Sequence, residues 1–305
     1  MILLWGLPED PPLRAVHDAL RSKGYEPAFL NQRHVKQCEF RSEFSHGRYS
    51  GLLSAPGVKL ALEDISAIYL RPHNFLNLPD FQEGRASPGE IAQATRFEQA
   101  MIAFCDNSDG FIVNRPVSMI SNTSKPYQSL IIEQSGFLVP KTILTTDPAA
   151  AREFVSRHGR AIYKSISSER SIVSQVSQDD LDRLDEVENC PTQFQAFVEG
   201  VDVRVHVIGG RVIAHRLRSP ADDYRFDRST QIEPWILPHD VADHCIALSR
   251  QLGLHLAGID LRLTPARTWV CFEVNPSPGF TYFDGMSDDI ATATADLLVG
   301  ASRLG

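Results

Sequence analysis

The chain has 305 residues and a mass of 34.0 kDa, which is enough for about two domains at roughly 150 residues each. Hydrophobic residues make up 43% of it and charged residues 22%, a globular composition that excludes the disordered and fibrous classes. Thirty Lys and Arg against 38 Asp and Glu give a net charge of −8, without any basic run. We therefore expect no nucleic-acid partner and no membrane partner.

Five scattered cysteines include no CxxC pair, so we expect small buried side chains in a reduced compartment rather than a disulfide framework. The first residues lack the basic region of a signal peptide, and no stretch reaches the ~18 apolar residues that span a membrane. These features predict a cytoplasmic protein.

Residues 1–112 have the pattern of an amino-terminal α/β domain. An apolar run at 1–6 predicts a strand, and the helical pattern that follows it ends at Gly24. Further short apolar runs occur at 27–30, 51–53 and 65–70. After a long polar loop, apolar residues at helical spacing predict a helix from about 89 to 105.

Residues 113–190 predict a second α/β segment. It begins with a helix over 125–134, which Ser124 is expected to cap and Gly136 to end. Beyond it the pattern predicts a strand up to 144, a helix over 147–158 and a strand over 161–164.

Residues 191–305 carry the clearest β pattern. Alternating apolar residues over 192–219 predict two long antiparallel strands joined by a turn at Gly209 and Gly210. The remaining elements are predicted as a helix over 239–252, strands over 256–263 and 269–275, and a final helix over 288–298.

Three oxygen-bearing side chains are predicted to converge on the last two strands. Asp260 lies near the middle of one strand, while Glu273 and Asn275 are two residues apart on the next and so point to one face. Acidic residues on a strand pair are often only part of a solvated face, but here apolar neighbours make unpartnered carboxylates costly. Because Mg²⁺ prefers oxygen ligands of this kind, the pattern favours a metal site.

Two lysines lie where α/β elements begin or end. Lys125 starts a predicted helix and Lys164 ends an apolar strand, positions at which a point charge can meet a phosphate. The polar loop 165–171, which contains Ser168, can close over phosphates with N–H and hydroxyl donors. Solvent-exposed lysines and a plain surface turn are the alternative interpretation.

Charged residues also alternate along the predicted hairpin. Asp202 and Arg204 share a face of its first strand, and whether Arg216 and Arg218 join them depends on the strand register. A guanidinium cluster suits a phosphoryl group, an acyl phosphate or a carboxylate. Cross-strand ion pairs on a solvated face are the alternative.

Other enzyme motifs are absent from the sequence: it has no GxxxxGK[ST] loop, no GxSxG elbow, no HExxH and no GxGxxG after the first strand. The ten histidines are dispersed. Only His206 and His215, both on the hairpin, are candidates to line an acceptor site.

At this point the order of motifs resembles the ATP-grasp carboxylate–amine ligases over roughly residues 112–285. The matching residues are Asn114, Lys125, 162–164, 195–204, 258–260 and 272–279. Within that superfamily the chain is most similar to the RimK-type ligases and to the microviridin-type ligases that build graspetide crosslinks. The segments that resemble these groups are 114–116, 125–128 and 136–142, and for the second group 68–72 and 223–225.

The resemblance implies a mixed α/β (α+β) fold, in which a pre-grasp domain (1–112) precedes a two-lobed ATP-grasp unit with ATP between the small lobe (113–190) and the large lobe (191–305). It also implies site roles. Lys125 and Lys164, with Ser168 in the loop, would contact ATP, while Gln195, Ala196, Phe197 and Val198 would form the adenine hinge. Glu199 or Asp202 would hold the ribose or order the hinge. Asp260, Glu273 and Asn275 would bind Mg²⁺ or Mn²⁺, with Arg204, Arg216 and Arg218 on the acyl phosphate.

The function implied is ATP-dependent activation of a carboxylate as an acyl phosphate, which an amine or hydroxyl of an amino acid or peptide then attacks. A peptide macrocyclase of the graspetide type and a catalytically silent ATP-binding regulatory module are the alternatives. Small-molecule or peptide substrates are the expected partners, and a homo-oligomer is expected from the resemblance alone.

Overall fold

A computed structural model of the chain describes residues 1–165, 174–219, 229–283 and 289–303. The strands are β1 (Ile2–Gly6), β2 (Ala28–Asn31), β3 (Glu39–Ser45), β4 (Arg48–Ala55), β5 (Val58–Ala61), β6 (Ala67–Arg71), β7 (Phe111–Val113), β8 (Thr142–Thr145), β9 (Ala161–Ser165), β10 (Ser174–Gln175), β11 (Thr192–Ala196), β12 (Val201–Ile208), β13 (Arg211–Arg218), β14 (Gln231–Trp235), β15 (Leu256–Leu263) and β16 (Trp269–Asn275). The α-helices are α1 (Pro11–Ser22), α2 (Pro88–Asn107), α3 (Pro116–Met119), α4 (Lys125–Gln134), α5 (Pro148–His158), α6 (Gln178–Asp182), α7 (His239–Gln251) and α8 (Asp289–Ser302).

The amino-terminal part is built on a parallel sheet with the strand order β2-β1-β6-β7. Every residue of β1 is buried, and its side chains alternate between two cores: Leu3 and Trp5 pack toward α2, while Ile2 and Leu4 pack toward α1 and α8. A parallel strand covered on both faces needs a continuous apolar run, which is why the first residues predict it well.

A second amino-terminal sheet, β3-β4-β5, is antiparallel and was largely missed by the sequence patterns. Only the middle of β4 has an apolar run. In β3 every residue is exposed or half-buried, so hydrophobic alternation gives little signal there.

The small-lobe sheet has the antiparallel order β10-β9-β11-β8, with α5 packed on one face. Strand β11 of this sheet corrects two predictions, the extent of the first hairpin strand and the position of the lobe boundary. The first strand of the predicted hairpin is in fact two strands, β11 and β12, which lie in different sheets. The chain passes between sheets after Ala196, so the predicted lobe boundary at 190/191 separates β11 from its own sheet.

The large-lobe sheet has the antiparallel order β14-β13-β12-β15-β16. The valines at 203, 205 and 207 pack with α7 on one face, while Ile208 and Leu217 join the core that contains α8. The observed bounds of β15 and β16 are those predicted from the sequence.

Four of the five cysteines are buried, Cys190 is exposed, and all five are free thiols. Burial raises the pKa of Cys38, Cys105 and Cys245 to about 12, as expected for small apolar-like side chains. Within the described ranges, no helix is both long and apolar enough to cross a membrane.

Candidate active site

The large-lobe sheet brings the predicted metal ligands together on one face. Asp260 lies directly opposite Glu273, and Gly258 lies opposite Asn275. Directly opposed residues share a face of the sheet, so the predicted convergence of these three side chains is confirmed as geometry. On the other side of β15, Arg204 lies opposite Asp260 and joins the same face.

Arg204 is held in a defined position on this face. Its Nη1 donates to Asp260 Oδ1 at 2.7 Å, and the arginine is 5% exposed. The guanidinium lies over Gly258, where a Cβ atom would come within 2.7 Å of Arg204 Cζ and 2.8 Å of Pro278 Cβ. Glycine at 258 therefore leaves the space that the arginine occupies.

Lys125, the first residue of helix α4, contacts the Glu273 carboxylate on this face. Lys125 Nζ lies 3.4 Å from Glu273 Oε2, and both side chains are mostly buried. Ser124 occupies the N-cap position, but its side chain makes no capping hydrogen bond. The helix is instead fixed by buried Gln128, whose Nε2 donates to the Val274 carbonyl at 2.8 Å and whose Oε1 accepts from the Val274 N–H at 2.9 Å.

The turn after β16 is fixed by two asparagines. Asn275 Oδ1 accepts from the Ser277 N–H at 2.9 Å. Buried Asn114 donates to the Pro276 carbonyl at 2.6 Å and the Leu256 carbonyl at 2.7 Å, and its Oδ1 accepts from two backbone N–H groups. Asn114, which the sequence marked only as part of a motif, thus ties this turn to the start of β15.

The register corrects the predicted arginine cluster. Arg204 is paired with His215, whereas Arg216 is paired with Val203, so Arg216 and Arg218 point to the face opposite Arg204. Arg218 forms an ion pair with Glu233 at 3.4 Å, the cross-strand alternative that the sequence left open. Arg216 stacks over Trp235 instead, 5.2 Å from the ring centroid.

The small-lobe sheet carries polar residues on the face opposite α5. Lys164 is 7% exposed and lies opposite Gln193. Gln195 shares that face and donates through Nε2 to Thr142 Oγ1 at 3.2 Å. Its Oε1 is buried without a hydrogen-bond partner in the described part of the chain, so Gln195 keeps an acceptor available at the hinge.

Between the two sheets, the hinge from Ala196 to Asp202 is braced by cations. The Arg262 guanidinium donates to both carboxylate oxygens of Asp202, at 2.7 and 2.9 Å, and to the Val198 carbonyl at 2.6 Å. Arg160 lies over the Phe197 ring, 3.7 Å from its centroid, and 3.6 Å from the exposed Glu199 carboxylate.

Arg262 thus joins Asp202 to the backbone of the hinge at Val198. The sequence missed Arg262, although its position two residues after Asp260 places it on the same face.

Two cavities adjoin the hinge. One, of about 570 Å³, is bordered by Lys141, Ala196, Val198 and Val270. The other, of about 530 Å³, extends from Asp202 along the ends of β12 and β13. The first cavity therefore borders Ala196 and Val198, two of the four residues predicted to form the adenine hinge.

The two hairpin histidines lie on the Arg204 face. His206 is fully buried, with its ring 6.5 Å from that of His215 and 5.2 Å from that of Phe283. Neither ring nitrogen of His206 has a hydrogen-bond partner in the part of the chain that the structure describes. Burial, followed by the neighbouring Arg204 and His215, holds the pKa of His206 well below its usual value, so the ring is neutral.

The donor set suits a divalent cation with oxygen preference. Two carboxylates and an amide oxygen lie on adjacent positions of two strands, and each carboxylate already has a cation beside it. Among the described residues no group of three or more His, Cys, Asp or Glu side chains is placed to hold a metal. The third oxygen donor on this face is the amide of Asn275. Ser168 and the segment 223–225 lie outside the described residues.

A family model described as a RimK-like ATP-grasp domain matches residues 123–298, more than half of the chain. The chain belongs to the RimK-like ATP-grasp family. Its predicted family and fold class are thereby confirmed.

Among curated relatives, the chain is 27% identical over 222 residues to a probable alpha-L-glutamate ligase of Rhodopirellula baltica. That alignment covers 68% of this chain and 54% of the relative, so the chain spans about half the length of that protein.

Solved structures match over nearly the whole chain. The macrocyclase MdnC of Microcystis aeruginosa, bound with the precursor peptide MdnA, has a TM-score of 0.81 at 22% identity and covers 98% of this chain and 99% of its own. The ATP-grasp ligase PsnB, complexed with a phosphomimetic variant of a minimal precursor, Mg and ADP, has a TM-score of 0.80 at 24% identity, with coverage of 99% and 98%. At these identities the matches show the fold.

Proposed function

We propose that this protein is an ATP- and Mg²⁺-dependent ligase that joins a carboxylate to an amine or hydroxyl of an amino acid or peptide. The observation that carries the proposal is the arrangement of Arg204, Asp260, Glu273 and Lys125 on one face of the large-lobe sheet. Family membership supports ATP as the nucleotide, and the cavity beside Ala196 and Val198 adjoins the predicted adenine hinge.

In the proposed reaction, a carboxylate oxygen of the substrate attacks the γ-phosphorus of ATP, and the bond from that phosphorus to the ADP oxygen breaks. The resulting acyl phosphate is attacked at its carbonyl carbon by the amine, which loses a proton as inorganic phosphate leaves. Such chemistry depends on positioning and charge neutralisation rather than on a covalent nucleophile.

The chain's own residues have separate roles in this proposal. Arg204, fixed by Asp260 and by the space over Gly258, presents a preorganised positive charge to the acyl phosphate. Lys125 and Lys164 neutralise phosphate charge, and Gln195 to Val198 border the adenine. When bound at Asp260, Glu273 and Asn275, Mg²⁺ supplies charge neutralisation of phosphate oxygens.

The curated relative and the solved structures suggest different substrate classes. The relative of Rhodopirellula baltica is named for glutamate ligation, whereas the solved structures hold precursor peptides. The two structures with precursor peptides superpose on this chain with TM-scores of 0.81 and 0.80, against 0.61 for a RimK domain protein of Sphaerobacter thermophilus that covers 98% of the chain. This difference favours a peptide carboxylate, and hence a macrocyclase-type reaction, as the second candidate function. A cytoplasmic location and a homo-oligomer belong to the same proposal.

The test is ADP release by the purified protein with MgATP, against pools of amino acids and of acidic peptides. Glu273→Gln is the active-site variant, and Glu188→Gln, at an exposed position in a short helical turn, is the matched control. We expect substrate-dependent ADP release that Glu273→Gln abolishes and Glu188→Gln retains. Thermal stabilisation by MgATP without ADP release from any pool would favour the silent regulatory module, and absence of nucleotide binding would refute the proposal.

A further inference from the structure

The carboxyl edge of the amino-terminal parallel sheet carries a buried arginine that the proposed reaction does not use. Strand β1 pairs in parallel with β2 on one side and with β6 on the other. Arg71 is the last residue of β6, and its side chain is 11% exposed. Its Nε donates to Asp10 Oδ1 at 2.8 Å.

Besides its ion pair with Asp10, Arg71 forms hydrogen bonds to the large lobe. Its Nη1 donates to Ser277 Oγ at 2.9 Å and to the Pro278 carbonyl at 3.1 Å, across 206 and 207 residues of sequence. The Ser277 N–H in turn donates to Asn275 Oδ1. One arginine therefore joins the amino-terminal sheet to the turn that follows the last proposed metal ligand.

The same turn lies close to the proposed catalytic arginine. Pro278 Cβ and Arg204 Cζ lie 2.8 and 2.7 Å from the position that a Cβ atom on Gly258 would take. The turn at 277–278 is thus hydrogen-bonded to Arg71 and lies near Arg204. A shift of the turn would move Asn275 and would open space beside Arg204.

We infer that Arg71 is a positioning residue, which fixes the Ser277-Pro278 turn and thereby sets the placement of Asn275 for the metal. The inference rests on the proposed function, because it takes Asn275 as a metal ligand. It makes the amino-terminal domain a structural part of the metal site, in addition to any part it has in substrate binding.

The test measures metal binding directly, by the electron paramagnetic resonance titration of Mn²⁺ in the presence of ADP. Arg71→Lys keeps the charge beside Asp10, but a single ammonium cannot also reach both Ser277 and Pro278. Ser277→Ala removes one of those contacts from the other side. We expect each variant to weaken Mn²⁺ binding about 5- to 10-fold, the change that the loss of about one hydrogen bond predicts, and the double variant to be little weaker than Arg71→Lys alone.

The matched control is Asp10→Asn, since asparagine still caps α1 while the ion pair with Arg71 loses its charge. It is expected to lower the melting temperature but to leave Mn²⁺ affinity within about twofold of wild type. If Arg71→Lys and Ser277→Ala lower only the melting temperature and leave Mn²⁺ affinity unchanged, Arg71 is merely structural and the inference is overturned. If the wild-type protein binds no Mn²⁺ with ADP, the proposed function itself fails.

Discussion

Replacing Gly258 by alanine tests whether the space beneath Arg204 matters. The residue is not in the left-handed region, so the backbone accepts alanine and the effect is steric. The added Cβ would lie 2.7 Å from Arg204 Cζ and 2.8 Å from Pro278 Cβ, far inside van der Waals contact. Because the proline ring is rigid, we expect the Arg204 guanidinium to shift, which would break or distort its hydrogen bond to Asp260.

The size of the effect follows from what Arg204 loses. It is buried, and its bond to Asp260 is charge-assisted, a class worth about 1.5–3 kcal/mol. Overpacking alone costs about 1–3 kcal/mol. For a cost of about 1.5–3 kcal/mol we expect the melting temperature to fall by about 3–12 °C, at about 2–4 °C per kcal/mol, the range for chains of about 150–250 residues. Turnover should fall about 100-fold or more, because a displaced positive charge no longer meets the acyl phosphate.

Differential scanning fluorimetry and ADP release measure these two effects. Gly210→Ala is the control, because a Cβ there meets nothing within 4 Å and the residue lies in the turn of the same hairpin. In an Arg204→Ala background, Gly258→Ala should cost much less, since the clashing group is gone. Near wild-type stability and turnover for Gly258→Ala would refute the packing argument.

Three further variants test other parts of the site. Gln128→Ala leaves the buried N–H and C=O of Val274 unpaired, so it should lower the free energy of unfolding by about 2–4 kcal/mol and speed hydrogen exchange at the Val274 amide. Arg262→Lys cannot bind Asp202 through two parallel hydrogen bonds, so it should raise the KM for ATP about 10-fold, with a smaller change in kcat. His206→Leu should flatten the fall of stability with acidification. Because burial lowers the folded-state pKa of His206, the unfolded chain binds a proton there below about pH 6.5 while the folded protein does not. The free energy of unfolding therefore falls as the pH drops below about 6.5, by up to about 1.4 kcal/mol per pH unit.

Each of these has a clear opposite outcome. Unchanged exchange at Val274 would mean that α4 is not fixed to β16 through Gln128. An unchanged KM with a lower kcat would place Arg262 in the chemistry rather than at the hinge. For His206→Leu, melting temperatures at pH 7.5 and 5.5 are compared with wild type; an equal difference between the two pH values would show that another group, such as His255, dominates the acid slope.

Local patterns predicted much of this fold. The strand bounds of β15 and β16, the helix over 125–134 and the parallel first strand all follow from periodicity and end signals, because each element buries one continuous face or run. The convergence of Asp260 and Glu273 also needed a feature that the sequence did not signal. Near the turn the register pairs Leu261 with Cys271, and an irregularity between Asp260 and Leu261 shifts it so that Asp260 lies opposite Glu273.

Features that depend on pairing between distant parts of the chain could not be predicted from local patterns. Residues 192–208 alternate without interruption, and only the tertiary structure shows that β11 and β12 pair in different sheets. The position of Arg216 and Arg218 depended on a one-residue register choice, which reverses the face. Arg71 and Ser277 are 206 residues apart, and no local signal links them.

The sequence by itself determined many of the elements, the family motifs and the residue types of the proposed metal ligands, because these depend on residue type and short spacing. Tertiary structure decided which residues of those elements meet, because contacts between sheets are set by packing of whole faces rather than by neighbours in the chain.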